Sequence, residues 1–487
     1  MSTLDFLNDG EARARGELEL APDQALSEAE LGTALKYALA ASLADLFGGV
    51  AEIRRAARGG ALTVAELRVA AAKELRKLAE AARQADHPIW AEHLGRPVLQ
   101  ARIADLAIDA LLSERLAPEI ILAPGSRALS PHPPLHALVF SAFTHCAHEL
   151  YSLLVDALTA GVHAAGAHES WVAEGTLRRA ILLDAEADRL LEVDLDPPAS
   201  VASAQALALD LTREAESHQK IESALTVPLT NPYAGARCLD DKVWTAAAWA
   251  NAGLEAPAYL SFAPDAADGE MRAVLADWLC SHTPALVVKP ADGTEGRGVE
   301  LVDFGRPGGG AACFAHLNRL IARGPALVME ERGQLRFTSS QGAVRFTLRL
   351  NVCWDGDRAW AESGCAQAAG DPAGIASAGR GGRVTPLIEV WQNLQRSDGT
   401  PFTPTAADWQ TVLGAAEAGT AALARAIGPA MSRLIGIDLL LDLEADRIVP
   451  VLLEANPRPA GMSHARFVTA AGPTVEPGVT RRMWGTL

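Results

Sequence analysis

Hydrophobic positions change their spacing along the chain, and each change predicts a different kind of structure. From residue 1 to about 116 they recur at helical intervals in an alanine-rich background. Ser27 with Glu30 forms a capping-box signature before a helical run that reaches Phe47, where Gly48-Gly49 ends it. Thr63 with Glu66 opens a second helix that stops near Asp86-His87-Pro88, and a third runs from about Pro97 to Leu116. Between residues 117 and 230 the pattern is mixed. It predicts a short strand Glu119 to Ala123, a turn at Pro124-Gly125-Ser126 and a long helix Pro134 to His163. A two-strand pattern from Arg179 to Leu195 and a helix from about Ala202 to Leu225 follow. After Asn231-Pro232-Tyr233 strands and helices alternate. Asp240-Asp241-Lys242 opens a helix ending near Gly253, then come a strand Ala258 to Phe262, a helix to about His282 and a strand Pro284 to Pro290. The segment Gly305 to Gly310 reads as a loop. The expected class is α/β (α+β), with a largely helical amino-terminal region.

Composition narrows the function classes. With 49% apolar and 21% charged residues in 487 positions, the chain has an ordinary globular makeup and room for two or three domains. A formal net charge of −17 argues against a general nucleic-acid footprint. The start, MSTLDFLNDGEAR, is acidic and predicts no targeting signal. The most apolar helical stretch, Ala137 to Val162, carries His145, His148, Glu149 and Asp156, so it reads as buried in protein and no membrane span is expected. Six cysteines without a CxxC pair suit reduced thiols in a cytoplasmic protein. The helical first 116 residues suit packing, substrate shaping or a homo-oligomer contact. His145 and His148 share a helix face, but no third ligand sits at a diagnostic spacing, so ordinary core or surface histidines are expected.

Candidate chemistry gathers in the second half. In Leu434 to Phe467 two apolar runs flank a turn at Glu444-Ala445-Asp446, and antiparallel pairing puts Asp438, Glu454 and Asn456 at one end of a sheet. Two carboxylates and an amide oxygen are hard ligands suited to Mg²⁺; a hairpin with a polar end is the equal alternative. Upstream, ALVVKPADGTEGRGVELVDF (Ala285 to Phe304) is a strand, a glycine-rich turn and a strand. Lys289 ends the first strand, and Gly293, Gly296 and Gly298 let backbone amides approach phosphate oxygens. It is neither a Walker A loop nor a dinucleotide fingerprint. A plain surface hairpin leaves a lysine at the end of a buried strand without a reason. ALVMEE (Ala326 to Glu331) is a strand ending in Glu330 and Glu331, able to present backbone groups and a carboxylate to an adenine edge. Val344 to Asp355 and Arg358 to Ala366 form a strand pair, with Arg345 and Arg349 on one face as substrate-facing cations or a solvated stripe. Arg380 and Arg383 lie in a glycine-rich loop suited to clamping a carboxylate or γ-phosphate.

The order Asp240-Asp241-Lys242, Val287-Val288-Lys289-Pro290 with its glycine loop, Met329-Glu330-Glu331, Gly436-Ile437-Asp438 and Leu453-Glu454-Ala455-Asn456-Pro457-Arg458-Pro459 resembles the ATP-grasp superfamily. It looks most like the carboxylate–amine ligases, such as L-amino-acid and peptide ligases and D-alanine–D-alanine ligase. The resemblance spans about Asn231 to Val468. It implies an ATP-grasp fold over 231–475, with a glycine-loop subdomain near 255–325 and a metal-site subdomain near 326–475. Residues 1–116 would be a helical module and 117–230 an altered amino-terminal α/β or substrate domain. It further implies that Lys242 and Lys289 bind ATP phosphates, Glu330-Glu331 line adenine, Asp438, Glu454 and Asn456 hold Mg²⁺, and Arg458 lies beside the transferred phosphate or substrate. Two departures stand out. The acid that holds ribose in many relatives falls in Gly333-Gln334-Leu335-Arg336, and an arginine two residues before the first metal ligand is Gly436, its charge left to Arg349, Arg380 or Arg383. The implied activity is amide or peptide bond formation between small-molecule carboxylate and amine substrates through an acyl phosphate. A small-molecule kinase or a non-catalytic ATP-binding module are the alternatives.

Overall fold

The computed structural model describes residues 3–17, 26, 28–58, 61–85, 88–112, 120–127, 135–141, 143–185, 189–207, 214–264, 266–293, 296–339, 342–377, 380 and 382–485. Six helices come first: α1 (Thr3–Glu17), α2 (Glu28–Phe47), α3 (Val50–Arg58), α4 (Val64–Gln84), α5 (Pro88–Leu94) and α6 (Pro97–Leu112). The Thr63 capping box forms as expected, with the Glu66 amide donating to Thr63 Oγ1 and the Thr63 amide to Glu66 Oε2. Ser27 and residues 113–119 lie outside the described residues. The apolar faces of these helices meet around Leu35, Leu39, Leu75 and Ile108, and Ile388 and Val475 join the same core from far down the chain.

A six-stranded sheet follows. Its elements are β1 (Ile120–Arg127), β2 (Leu135–Phe140), α7 (Phe143–Thr159), β3 (Ala164–His168), β4 (Val172–Ala173), β5 (Thr176–Asp184), β6 (Arg189–Ala206) and α8 (Glu214–Ala224). The strand order is β1-β6-β2-β3-β5-β4, with β6 parallel to β1 and β2, and β2 parallel to β3. Three sequence expectations give way here. The helix expected from Pro134 is β2 followed by α7, because an unbroken apolar run such as LHALVF, buried at every position, hides its period. The helix expected from Ala202 begins only at Glu214, since β6 runs on to Ala206. Pro124-Gly125-Ser126 lies inside β1, where pairing with β6 shifts register between Leu122 and Ser126. Helix α7 also binds the carboxy-terminal half of the chain. Glu149 Oε1 accepts from the Gly461 amide at 3.0 Å, and Asp156 Oδ2 accepts from the Val479 and Thr480 amides at 2.6 and 2.8 Å.

The remaining chain builds two sheets that face each other across a cleft. Helices α9 (Tyr233–Asp240) and α10 (Lys242–Asn251) lead into β7 (Tyr259–Phe262), α11 (Asp268–Leu279), β8 (Ala285–Pro290), β9 (Glu300–Asp303), α12 (Gly309–Ile321) and β10 (Ala326–Glu330). The strands pair antiparallel in the order β7-β10-β8-β9, with Leu275, Leu286, Val288, Leu317 and Val328 in the core beneath. The expected Gly305–Gly310 loop is shorter, because Gly309 and Gly310 already belong to α12. A Cβ on Gly309 would lie 2.0 Å from the Asp303 carbonyl oxygen, so only glycine lets the helix start there.

Next come β11 (Arg336–Ser339), β12 (Gly342–Val344), β13 (Phe346–Trp354), β14 (Ala359–Ala368), β15 (Arg383–Pro386), α13 (Leu387–Trp391), β16 (Leu394–Gln395) and α14 (Ala406–Ile427). The chain closes with β17 (Leu434–Glu444), β18 (Arg447–Asn456), β19 (Arg466–Thr469), β20 (Gly472–Pro477) and α15 (Arg482–Gly485). The main sheet runs β18-β17-β13-β14-β19-β20, with β15 beside β14, and β12-β11-β16 form a small sheet. Trp409 and Val412 of α14 are buried in the main sheet's core beside Leu439 and Leu452. The β17–β18 turn is the predicted one, with Ala445 and Asp446 at φ 46° and 65°, the two positive angles of a type I′ hairpin turn. Among the described residues no helix is long and apolar enough to cross a membrane.

One buried group gives the fold a testable pH dependence. His136 of β2 is buried, its Nδ1 2.9 Å from Ser203 Oγ, and burial pushes the imidazole down to about 3. In the unfolded chain the ring takes its proton near 6.5, so its contribution is full above that pH and is lost as pH falls toward about 3. Between pH 7 and 5 this group should cost wild type about 2 kcal/mol. Urea denaturation of His136→Leu at both pH values should show a pH-dependent change smaller by about that amount. Equal changes in the two proteins would contradict the buried neutral ring.

Candidate active site

The cleft between the two antiparallel sheets has a volume of about 830 Å³. One end is built from three separate elements. Asp241 caps α10 by accepting from the Val243 and Trp244 amides at 2.9 and 3.0 Å, which fixes Lys242 at the first helical position. Lys289 comes from β8. Glu454 comes from β18, where the pairing partner of Asp438 is Glu454 and that of Gly436 is Asn456. A register shift directly after the Asp438–Glu454 pair marks a bulge of the kind that re-aims strand ends at sites. The two lysines converge on one oxygen. Lys289 Nζ lies 3.2 Å and Lys242 Nζ 3.7 Å from Glu454 Oε1.

Electrostatics explain why these charges tolerate one another. Lys289 is 4% exposed; burial pushes its ammonium down, and Glu454 opposes that push. Burial alone raises the Glu454 carboxyl, but Lys242 and Lys289 outweigh it and hold the group at about 2. The result is a fixed carboxylate and two ammonium groups at the floor of an open cleft. Lys242 Nζ also donates to the Gly293 carbonyl at 2.7 Å, joining this cluster to the glycine loop. Gly293, Gly296 and Gly298 have φ of 115°, 67° and 69°, the positive angles expected of them. Residues 294 and 295, at the loop's tip, lie outside the described residues.

The hinge end of the cleft is equally ordered. Glu330 ends β10, and Glu331 forms an ion pair with Arg345 at 2.7 Å, so Arg345 faces the hinge and is not a solvated stripe. The Gly333 and Gln334 amides donate to Asp442 Oδ1 at 2.7 and 3.0 Å, and Arg332 Nε reaches Asp442 Oδ2 at 2.5 Å. Asp442 thus docks the strap between the two sheets onto β17. The sequence offered no signal for this, since Asp442 is simply an acid in a strand. Arg336 donates to the Gly333 carbonyl and lines the cleft.

The arginines distribute differently from expectation. Arg349 on β13 pairs with Asp438 on β17, and the guanidinium takes both carboxylate oxygens at 2.7 Å each. Burial opposes charge on Arg349, but the Asp438 carboxylate overrides it and raises the guanidinium further. Gly436 makes room for this: a Cβ there would sit 3.3 Å from Arg349 Cδ and 2.9 Å from Pro459 Cβ. The guanidinium of Arg349 thus lies over Gly436 from the neighbouring strand. Arg458, expected beside the transferred phosphate, is 6% exposed. It forms a bidentate pair with Asp240 at 2.7 and 2.8 Å, and its Nη1 is 3.0 Å from His218 Nδ1. These contacts fasten the end of β18 to the residue preceding the α10 cap, and Arg458 also lines the cleft. Arg383, expected in the loop, is the first residue of β15 and approaches Glu389 at 3.5 Å. Arg380 donates toward the Gly296 and Val299 carbonyls at 3.5 and 3.2 Å, so it touches the glycine loop from the opposite sheet.

For a divalent cation the donor set fits in part. Glu454 is an ionised carboxylate open to the cleft, and Asn456 brings an amide beside it. Asp438 has one lone pair on each oxygen engaged by Arg349, which leaves a second on each. Among the described residues no group of three or more His, Cys, Asp or Glu side chains could hold a metal ion.

The chain is similar in structure to D-cycloserine synthetase DcsG, at 16% identity and a TM-score of 0.42, over 72% of this chain and 98% of that one. It is also similar to the VanG D-Ala:D-Ser ligase from Enterococcus faecalis, at 12% identity and a TM-score of 0.41, over 68% and 92%. A third likeness is to the ATP-grasp ligase PsnB complexed with a minimal precursor, at 14% identity and a TM-score of 0.36, over 67% and 91%. No protein-family model and no curated protein matches the chain.

The Arg349–Asp438 pair yields a stability prediction. Arg349→Met leaves a buried carboxylate without its counter-charge and should cost about 3–5 kcal/mol. The double variant Arg349→Met/Asp438→Leu should recover most of that loss. Chemical denaturation of the three proteins checks it; additive losses would show that the two side chains do not act as a pair.

Proposed function

We propose that this chain is an ATP-dependent ligase of the ATP-grasp type that joins a carboxylate to an amine through an acyl phosphate. The observation that carries the proposal is the convergence of Lys242 and Lys289, from different elements, on Glu454 beneath a positive-φ glycine loop. Such a cluster is suited to a polyanion that brings its own counter-ions, and triphosphate with Mg²⁺ is one. Glu454 and Asn456 would hold the cation together with phosphate oxygens and water, as Mg²⁺ commonly needs only one or two protein ligands beside a nucleotide. When bound, the ion supplies charge neutralisation on the phosphates.

The chain's own residues do the rest. Lys242 and Lys289 exchange their contacts with Glu454 for β- and γ-phosphate oxygens, which frees Glu454 for the cation. The hinge at Glu330-Glu331 receives adenine. A carboxylate oxygen of the substrate attacks the γ-phosphorus, the bond to the β-phosphate oxygen breaks, and ADP remains. Arg349, held rigid by Asp438, faces the negative charge that builds on the moving group. The amine nitrogen then attacks the acyl carbon, phosphate leaves with the former carboxylate oxygen, and the amine's proton leaves with it. Arg380, touching the loop from the opposite sheet, would help keep water from the acyl phosphate. Residues 1–116 and 117–230 would shape the substrate pocket, the second through the Glu149–Gly461 contact.

The reaction class is open to direct test. Purified protein should release phosphate from ATP only when both a carboxylate and an amine from pooled small molecules are present, with an amide product found by mass spectrometry. AMP and pyrophosphate, or a stable phosphorylated product from one substrate, would contradict the proposal. Glu454→Gln keeps the side chain's size but not its charge. It should lower turnover about 100-fold or more with little change in fold by circular dichroism, and a folded variant with wild-type turnover would remove Glu454 from the mechanism.

A further inference from the structure

The glycine loop returns to β9 through Gly298, and one histidine outside the cleft holds that return. His316 on α12 is 5% exposed, and its Nε2 lies 2.8 Å from the Gly298 carbonyl oxygen. A carbonyl only accepts, so Nε2 carries the proton. At the other ring nitrogen, Nδ1, Arg319 Nη2 stands 3.0 Å away as a donor and Glu300 Oε1 3.1 Å away as an acceptor, so the ring is held from both sides while the Gly298 carbonyl alone assigns the Nε2 proton. The contacts on both sides fix the ring's orientation, and the Gly298 carbonyl fixes Nε2 as its donor.

The consequence reaches the loop's amides. In a trans peptide the carbonyl and the following N–H point in opposite directions. With the Gly298 carbonyl drawn toward α12, the Val299 N–H must face back into the loop, where it donates to the Gly296 carbonyl at 3.2 Å. That bond closes the Gly296–Val299 turn, whose glycines at φ 67° and 69° would otherwise let the peptide rotate freely. The loop's other stem is held separately, since the Ala291 amide donates to the Pro325 carbonyl and Lys242 to Gly293.

We propose that His316 is a positioning residue for the glycine loop: by holding the Gly298 carbonyl it pre-sets the loop's backbone for a nucleotide's phosphates. This inference rests on the reading of the cleft as an ATP site. It concerns a residue that touches neither nucleotide nor substrate, so its loss should appear in nucleotide affinity and not in chemistry. A single hydrogen bond to a part-buried carbonyl corresponds to about a tenfold change in binding.

The test compares His316→Gln with His316→Asn in the full-length protein. The glutamine amide nitrogen stands where Nε2 does and can still donate to Gly298, whereas the asparagine amide stops one methylene short. Calorimetric titration with MgATP should give near-wild-type affinity for the glutamine variant and about tenfold weaker binding for the asparagine variant. In the ligase assay the asparagine variant should raise KM for ATP with kcat little changed. Melting temperatures of the two variants should agree, which separates positioning from stability. Equal affinities for Gln and Asn, with wild type and variants binding MgATP, would overturn the role of His316 alone. Wild type that binds no MgATP would overturn the ATP site and this inference with it.

Discussion

Everything at the functional end of this molecule depends on three charges that meet at one carboxylate oxygen. Lys289 is nearly buried, and an ammonium group in that position is costly unless a counter-charge stands close by. Glu454 supplies it at 3.2 Å while also meeting Lys242 at 3.7 Å. The geometry requires β8, β18 and α10 to arrive together, so the two sheets and the preceding helix pair are committed to a fixed relation around this point. The Asp241 cap, the Arg458–Asp240 pair and the bulge after Asp438 all serve that meeting. With two cations to one anion, the cluster carries surplus positive charge at the cleft floor. That surplus is the feature that suits it to phosphate.

The arginines show how fixed charge is supported elsewhere. Arg349, Arg345 and Arg458 are each held by a carboxylate, Asp438, Glu331 and Asp240 respectively. Such pairs lock a planar donor fork in one orientation, and a pre-aimed group needs no reorganisation when charge develops nearby. Arg349 is the clearest case. It fills the space over Gly436, which shows that a missing side chain on one strand can be answered by a longer one on its neighbour.

Sequence made the second half of the chain legible because its elements are short, bounded by glycine and proline, and carry their chemistry at strand ends. The placing of Asp438, Glu454 and Asn456 at one sheet end followed from the Glu444-Ala445-Asp446 turn and the apolar runs beside it, and the Lys289 loop followed from glycine spacing. What stayed hidden had no local signature. Nothing in the order of residues says that Arg458 reaches Asp240, over two hundred positions earlier, or that Asp442 holds the hinge strap. Partner choice among charges is a property of three-dimensional approach, which is why the sequence leaves Arg349, Arg380 and Arg383 open as the cation in place of Gly436. The region from 117 to 230 was misread for another reason. Its strand β2 is buried at every position, and an unbroken apolar run looks the same as strand or helix.

The most direct measurement is a crystal structure of the protein with Mg²⁺ and a non-hydrolysable ATP analogue. The account predicts β- and γ-phosphate oxygens within hydrogen-bond distance of Lys242 and Lys289 Nζ, with Glu454 turned from the lysines toward the cation and the glycine loop folded over the phosphates. An analogue bound elsewhere, or a cleft in which both lysines keep their contacts to Glu454 while the phosphates lie outside, would contradict it.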